Sequence, residues 1–216
     1  MGTTWGDVAW ELAHAEQEWQ EVVKGISEEA LVQFAEERYT AYFRNNAEMH
    51  LPVLDILSEA ENLFENQHFS ASLLFSFITV ENILRDLILR PLVWGTFIDE
   101  EVASIMTNSL LNNRLDHMSK FIFHFLDRSI GVDLRTTKRP NESTPVWQEI
   151  EEFKSLRNRI AHSGVKCDDK SAMRALKIAK FLYEKTFLTI LRAADFEIDS
   201  SNRIVRKGES SSVKTA

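Results

Sequence analysis

A single cysteine, Cys167, in 216 residues removes any intramolecular disulfide framework and any cysteine-built zinc cluster. A reducing compartment is the simplest home for such a chain, and the cytoplasm is the expected location. Glycine and proline are also scarce, seven and four respectively, which leaves little of the punctuation that short strands and tight turns require. No stretch approaches 18 uncharged apolar residues, and the opening MGTTWGDVAWELAHAEQEW lacks a basic segment followed by an apolar one. Membrane spanning and secretion are therefore not expected. Positive charge is in deficit, with 25 Lys and Arg against 33 Asp and Glu and a net charge of -8. That excludes a generally basic, nucleic-acid-coating surface but leaves room for one local basic groove. The phosphate-loop, nucleophile-elbow and HExxH metal-site patterns are all missing.

What the chain has in quantity is helical periodicity. With 44% hydrophobic residues it can bury a substantial core. The first segment, TTWGDVAWELAHAEQEWQEVVKG, ends at Gly25, and SEEALVQFAEERYTAYFRNN starts at Ser27 as N-cap, so residues 1–48 read as an N-terminal helical extension. Leu54, Leu57, Ala60 and Leu63 or Phe64 recur at helical spacing in the next helix. The segment HFSASLLFSFITVENILRDLILRP is apolar on nearly every face. It predicts a central buried helix, capped by Ser70 and stopped before Pro91.

Two further helices are expected between Asp99, a cap, and Gly131, a stop. VDLRTTKRPNESTP reads as a solvated surface loop in which RTTKRP could touch phosphates. Thr144 and Pro145 then supply N-cap and N1 chemistry for a helix whose apolar stripe is Ile150, Phe153, Leu156 and Ile160 and which Gly164 closes. A last long helix runs from Asp169, and residues 196–216 form a tail with a short hairpin before a disordered end.

The stretch SLRNRIAHSG, residues 155–164, carries the one polar constellation of interest: Arg157, Asn158 and His162. Five residues of helix turn through about 500°, so Arg157 and His162 stand roughly 140° apart unless the final turn unwinds or a second copy of the helix packs across a two-fold axis. A plainer account also exists. Cationic side chains in a last turn complement the helix dipole, and RNNAEMH, residues 44–50, repeats Arg, Asn and His at similar spacing without an apolar stripe.

SLRNRIAHSG on an amphipathic helix, preceded by SASLLFSFITVENILRDLIL and followed by a long helix, resembles the HEPN family (higher eukaryotes and prokaryotes nucleotide-binding domain). The family's hallmark is Arg, four to six residues, then His, with Asn commonly after the Arg; Arg157, Asn158 and His162 match it. The resemblance spans residues 51–195, with 97–145 as an insertion. It implies an all-α fold, an up-and-down four-helix bundle with extra N-terminal helices, that dimerises with the motif helices facing each other. The implied activity is metal-independent endoribonuclease cleavage without a cofactor, with Arg157 and His162 catalytic, in a defence or toxin–antitoxin setting that supplies an antitoxin or other partner protein. Histidine is the side chain suited to moving a proton from a ribose 2′-OH, and arginine to neutralising charge on a phosphate. Asn158 would orient His162 or the phosphate through its amide. The alternatives are a non-catalytic HEPN module that binds a nucleotide or partner protein and a helical adaptor.

Glu81 lies amid FITVENIL and needs a partner for its carboxylate. Either Arg85 at i,i+4 satisfies it, or it faces the motif helix and positions Arg157 or His162. His117 and His124, at i,i+7, lack a convergent ligand set and read as structural; no metal is expected.

Overall fold

The computed structural model of the chain describes residues 37–96, 101–102, 105 and 115–208. The first N-terminal helix with Gly25, the Ser27 cap, Asp99 and the tail beyond residue 208 lie outside the described residues. Regular structure among the described residues is helical apart from one two-stranded hairpin, so the fold is all-α. Helix α1 covers residues 37–45, α2 Leu51–Glu65 and α3 Phe69–Asn82. α3 runs through a π-helical stretch, Ile83–Leu89, into α4, Arg90–Thr96. α5 spans Leu115–Ile130, α6 Val146–Ser163 and α7 Asp169–Phe181; α7 continues through a second π-helical stretch, Leu182–Phe187, into α8, Leu188–Ala193. Strands β1, Phe196–Ile198, and β2, Ile204–Arg206, pair antiparallel, Phe196 opposite Arg206.

α3 is the central helix that its all-round apolar sequence predicts. It packs against α2, α6 and α7, while α2 and α6 each also touch α7. Leu73, Phe77, Val80, Ile83, Leu84, Leu87 and Ile88 are buried along it and its π-helical continuation. The reversal between α2 and α3 needs no glycine. Gln67 takes a left-handed conformation, φ 63°, while the His68 and Gln67 N–H groups return to the Leu63 and Phe64 carbonyls at 2.8 and 2.9 Å. Those two bonds satisfy carbonyls that the end of α2 would otherwise leave open.

Three predicted boundaries move. Ser70 is not a cap: the helix starts at Phe69, and the Ser70 hydroxyl instead accepts the Cys167 N–H at 2.9 Å, tying α3 to the segment after α6. Pro91 does not stop the helix. The π-helical stretch re-registers the backbone, with the Arg90 N–H reaching back to the Arg85 carbonyl, so Pro91 sits in the first turn of α4, where a missing N–H is tolerated. Thr144 and Pro145 are each one place too early, since Val146 is the first helical residue and Pro145 the cap. Backbone from the preceding loop replaces side-chain capping there: the Thr137 and Leu134 carbonyls accept the Val146 and Trp147 N–H groups at 2.9 and 3.0 Å.

The predicted stripe on α6 is observed. Ile150, Phe153 and Ile160 are buried and Leu156 is half-buried, and each full burial contributes about 1.5–3 kcal/mol. Gly164 ends the helix at φ 63°, a conformation its missing Cβ permits. The loop before α6 is not merely solvated. Arg139 is 5% exposed and holds the fully buried Glu149 carboxylate through two bonds, 2.8 and 2.7 Å, while Arg174 of α7 adds a third at 3.0 Å. Burial alone would push the Glu149 carboxyl up, but the two guanidiniums outweigh it and hold the group below the ordinary carboxylate range.

Removing this carboxylate strands two guanidiniums, one of them buried. Glu149→Ala is expected to cost about 3–5 kcal/mol in denaturant unfolding. A folded pKa below the unfolded one means that the carboxylate stabilises the protein fully above the unfolded value, about 4.3. That contribution disappears as pH falls through the lower folded value. Plots of unfolding free energy against pH should therefore be flatter in acid for Glu149→Gln than for the parent.

Candidate functional site

α6 carries Arg157, Asn158 and His162 on its C-terminal half, and α3 supplies what faces Arg157. The Arg157 Nη2 donates to Glu81 Oε1 at 2.8 Å, and Nη1 donates to Asn158 Oδ1 at 3.1 Å. The guanidinium carbon lies 5.0 Å from the centroid of the Phe77 ring. Phe77 and Glu81 are one helical turn apart on α3, so a single face of that helix offers both a π surface and a carboxylate to one arginine. Arg157 and Glu81 are each 30% exposed, which leaves the pair within reach of solvent.

The i,i+4 pairing of Glu81 with Arg85 is not what forms. Arg85 turns to Asp86 at 2.7 Å and to the Asn82 amide oxygen at 2.9 Å. Asp86 also takes Arg90 at 3.0 Å, and although burial pushes its carboxyl up, the two arginines hold it below the ordinary range. With Arg85 engaged, Glu81 goes across to α6. Of the sequence's two readings of Glu81, the geometry is that of the one facing the motif helix.

The His162 side chain is exposed and makes no hydrogen bond or ion pair with a described residue. α6 remains α-helical through Ser163, so the final turn does not unwind to bring His162 toward Arg157. The two side chains keep the separation of a regular helix, roughly 140° in azimuth and about 7.5 Å in rise. Asn158 and His162, at i,i+4, do share a face. Asn158 thus stands between the other two in azimuth: its oxygen is taken by Arg157, and its amide N–H2 makes no hydrogen bond with a described residue.

The other sequence candidates fall away from this place. His50, the histidine of the repeated Arg-Asn-His pattern, is 0% exposed, and Arg44 lies on the solvent side of α1. In RTTKRP, Arg139 is committed to Glu149, and Arg135 pairs with Asp133 at 2.8 Å and lies over Phe123; of its basic residues only the exposed Lys138 remains for an outside anion. His124 is exposed, while the His117 side chain lies outside the described residues. Among the described residues no three His, Cys, Asp or Glu side chains converge, and no helix is long and apolar enough to cross a membrane.

Phe77 was not legible as part of the site. The sequence offered it as core, and buried it is; only the 77/81 spacing hints that its ring and the Glu81 carboxylate act on one partner.

No known protein family, curated protein or solved structure matches the chain.

Proposed function

We propose that the protein is a HEPN-type endoribonuclease that cleaves RNA without a metal as a symmetric dimer. The observation that carries this reading is the fixing of Arg157 by Glu81, Phe77 and Asn158 while His162, one turn beyond Asn158, stays unpartnered and exposed. Arg157 is an oriented cation and His162 an available proton carrier. Two α6 helices facing each other across a two-fold axis would bring Arg157 of one protomer toward His162 of its partner, which a single regular helix cannot do. α3 with α2, α6 and α7 packed around it would be the four-helix bundle of that family.

The chemistry follows from the residue types. One His162 takes the proton of the ribose 2′-OH, and the resulting oxygen attacks the adjacent phosphorus. The bond from phosphorus to the 5′-oxygen breaks, and a second, protonated His162 delivers a proton to that leaving oxygen. The products are a 2′,3′-cyclic phosphate and a 5′-hydroxyl. Arg157 neutralises charge on the non-bridging oxygens as it grows, and the Asn158 amide N–H2 donates to the same phosphate.

A second reading has its own observation. Glu81 already pairs with Arg157, which leaves less positive charge for a phosphate in transit and favours a site that binds a nucleotide or partner protein without cutting.

Purified protein incubated with mixed RNA in EDTA should generate cyclic-phosphate ends. His162→Ala should lower the rate by about 10²–10⁴-fold with fold and dimer retained. Arg157→Lys should lower it by about 10²–10³-fold, because an ammonium does not reproduce the planar fork. His124→Ala and Arg44→Lys, both at exposed positions, serve as controls that leave cleavage unchanged. Restoration of a chelator-abolished activity by a divalent metal would overturn the mechanism, and RNA or nucleotide binding without any cleavage would favour the second reading.

Glu81 acts through Arg157 rather than on substrate. Glu81→Gln should therefore change stability by less than about 1 kcal/mol, as expected for a solvent-accessible pair. It should nevertheless lower kcat at unchanged KM, with partial recovery in Glu81→Asp.

A further inference from the structure

His50 has no place in the chemistry above, yet its surroundings are unusual. Its side chain is 0% exposed, and neither ring nitrogen has a hydrogen-bond partner. A buried imidazole normally engages at least one nitrogen, and one that engages neither is at ease only while uncharged. Its ring lies nearly parallel to that of Tyr183, 29° between planes and 6.4 Å between centroids, in the second π-helical stretch. The neighbouring ionisable groups give a proton little welcome. Glu48, two residues earlier, is turned outward and pairs with Arg203 at 3.5 Å, and burial pushes the Tyr183 hydroxyl up to about 12, so it stays neutral. Glu184 and Lys185, beside Tyr183, are exposed. Burial drives the His50 imidazole below its ordinary range against the weaker upward pull of Glu48.

The position of this residue in the chain gives its titration a mechanical consequence. His50 closes the turn 46–50 that joins α1 to α2, and its carbonyl accepts two N–H groups from the first turn of α2, those of Val53 and Leu54, both at 3.1 Å. The terminal hairpin is fastened on one side to the same turn and to α1, and on the other to α8, where the Lys207 Nζ donates to the Arg192 carbonyl at 2.9 Å. The Ile204 N–H donates to the Ala47 carbonyl at 2.8 Å, Arg203 reaches Glu48, and the Phe196 ring packs on Phe43 at 5.4 Å. Opening the turn to hydrate the ring therefore loosens the hairpin on its α1 side before it disturbs the contacts of α3 with α7.

We propose that His50 is an acid-triggered latch: protonation of its ring opens the turn 46–50 and releases the β1–β2 hairpin while α3 and α7 stay folded. The sign is fixed by linkage. The opened form takes up a proton near the ordinary imidazole value, about 6.5, and the closed form does so only at lower pH. The latch is therefore fully closed above that value and weakens as pH falls below it.

Hydrogen exchange read by mass spectrometry, corrected for the pH dependence of intrinsic exchange, tests this on the full chain. Between about pH 6 and about pH 5 the opening of peptides covering residues 45–51 and 195–208 should increase by up to about tenfold, with peptides from 72–80 unchanged. In His50→Leu, whose side chain is apolar and does not titrate, the increase should vanish. His50→Gln provides a second non-titrating variant should circular dichroism show that the first does not fold. Equal acceleration in a folded variant, equal acceleration of residues 72–80, or a His50 ring signal that titrates near 6.5 by NMR while the hairpin amides stay protected would each overturn the proposal.

Discussion

The buried carboxylate of Glu149 is the constraint on which the placement of everything else on α6 depends. A charge with no solvent access is tolerable only if its partners come to it, and here they come from two directions: Arg139 from the loop that precedes the helix and Arg174 from α7. The loop is thereby pulled down so that its own carbonyls cap the first turn, and α7 is fastened to the same point. Arg174 also covers the Phe153 ring at 5.2 Å, joining the ionic anchor to the apolar stripe. With the N-terminal end of α6 held this way and Phe153 and Ile160 seated in the core, the azimuth of the C-terminal half is no longer free. Arg157 must face α3, and His162 must face away.

What could be read from the sequence was what depends on neighbours along the chain. The stripe of Ile150, Phe153, Leu156 and Ile160, the stops at Gly131 and Gly164, the all-round apolar character of α3 and the terminal hairpin are local patterns, and the structure has them. What could not be read required knowing which distant residues meet. Glu149 and Arg174 are 25 positions apart and Arg157 and Glu81 are 76 apart, with nothing in either local pattern to announce the match. Pro91 misled because a π-helical stretch, which has no reliable sequence signature, absorbed it. Ser70 misled because a tertiary partner outbid the local cap.

The two Arg-Asn-His stretches illustrate the same limit from another side. By pattern they are nearly equal, but one histidine is exposed at a helix end and the other is sealed behind a turn. Burial separates them, and burial is a property of the fold. It also alters what a substitution means: trimming His50 would leave a cavity in packed surroundings, so a loss of activity there would say nothing about chemistry. The sealed histidine and the exposed one are thus suited to different work, one to sensing whether the structure is closed and the other to meeting a ligand.

The capping of α6 by loop carbonyls has one more consequence. The helix dipole offers its positive end to anions, yet at α6 that end is already occupied by the Thr137 and Leu134 carbonyls and flanked by Glu149. The only part of the helix left for an outside anion is the far end, where the dipole is negative and repels it. Attraction there must come from side-chain cations on an accessible surface, and mobile ions screen such attraction easily. An RNA phosphate meeting this end, as proposed, would therefore be held in a way that weakens with ionic strength, which a phosphate at a helix N-terminus would scarcely feel.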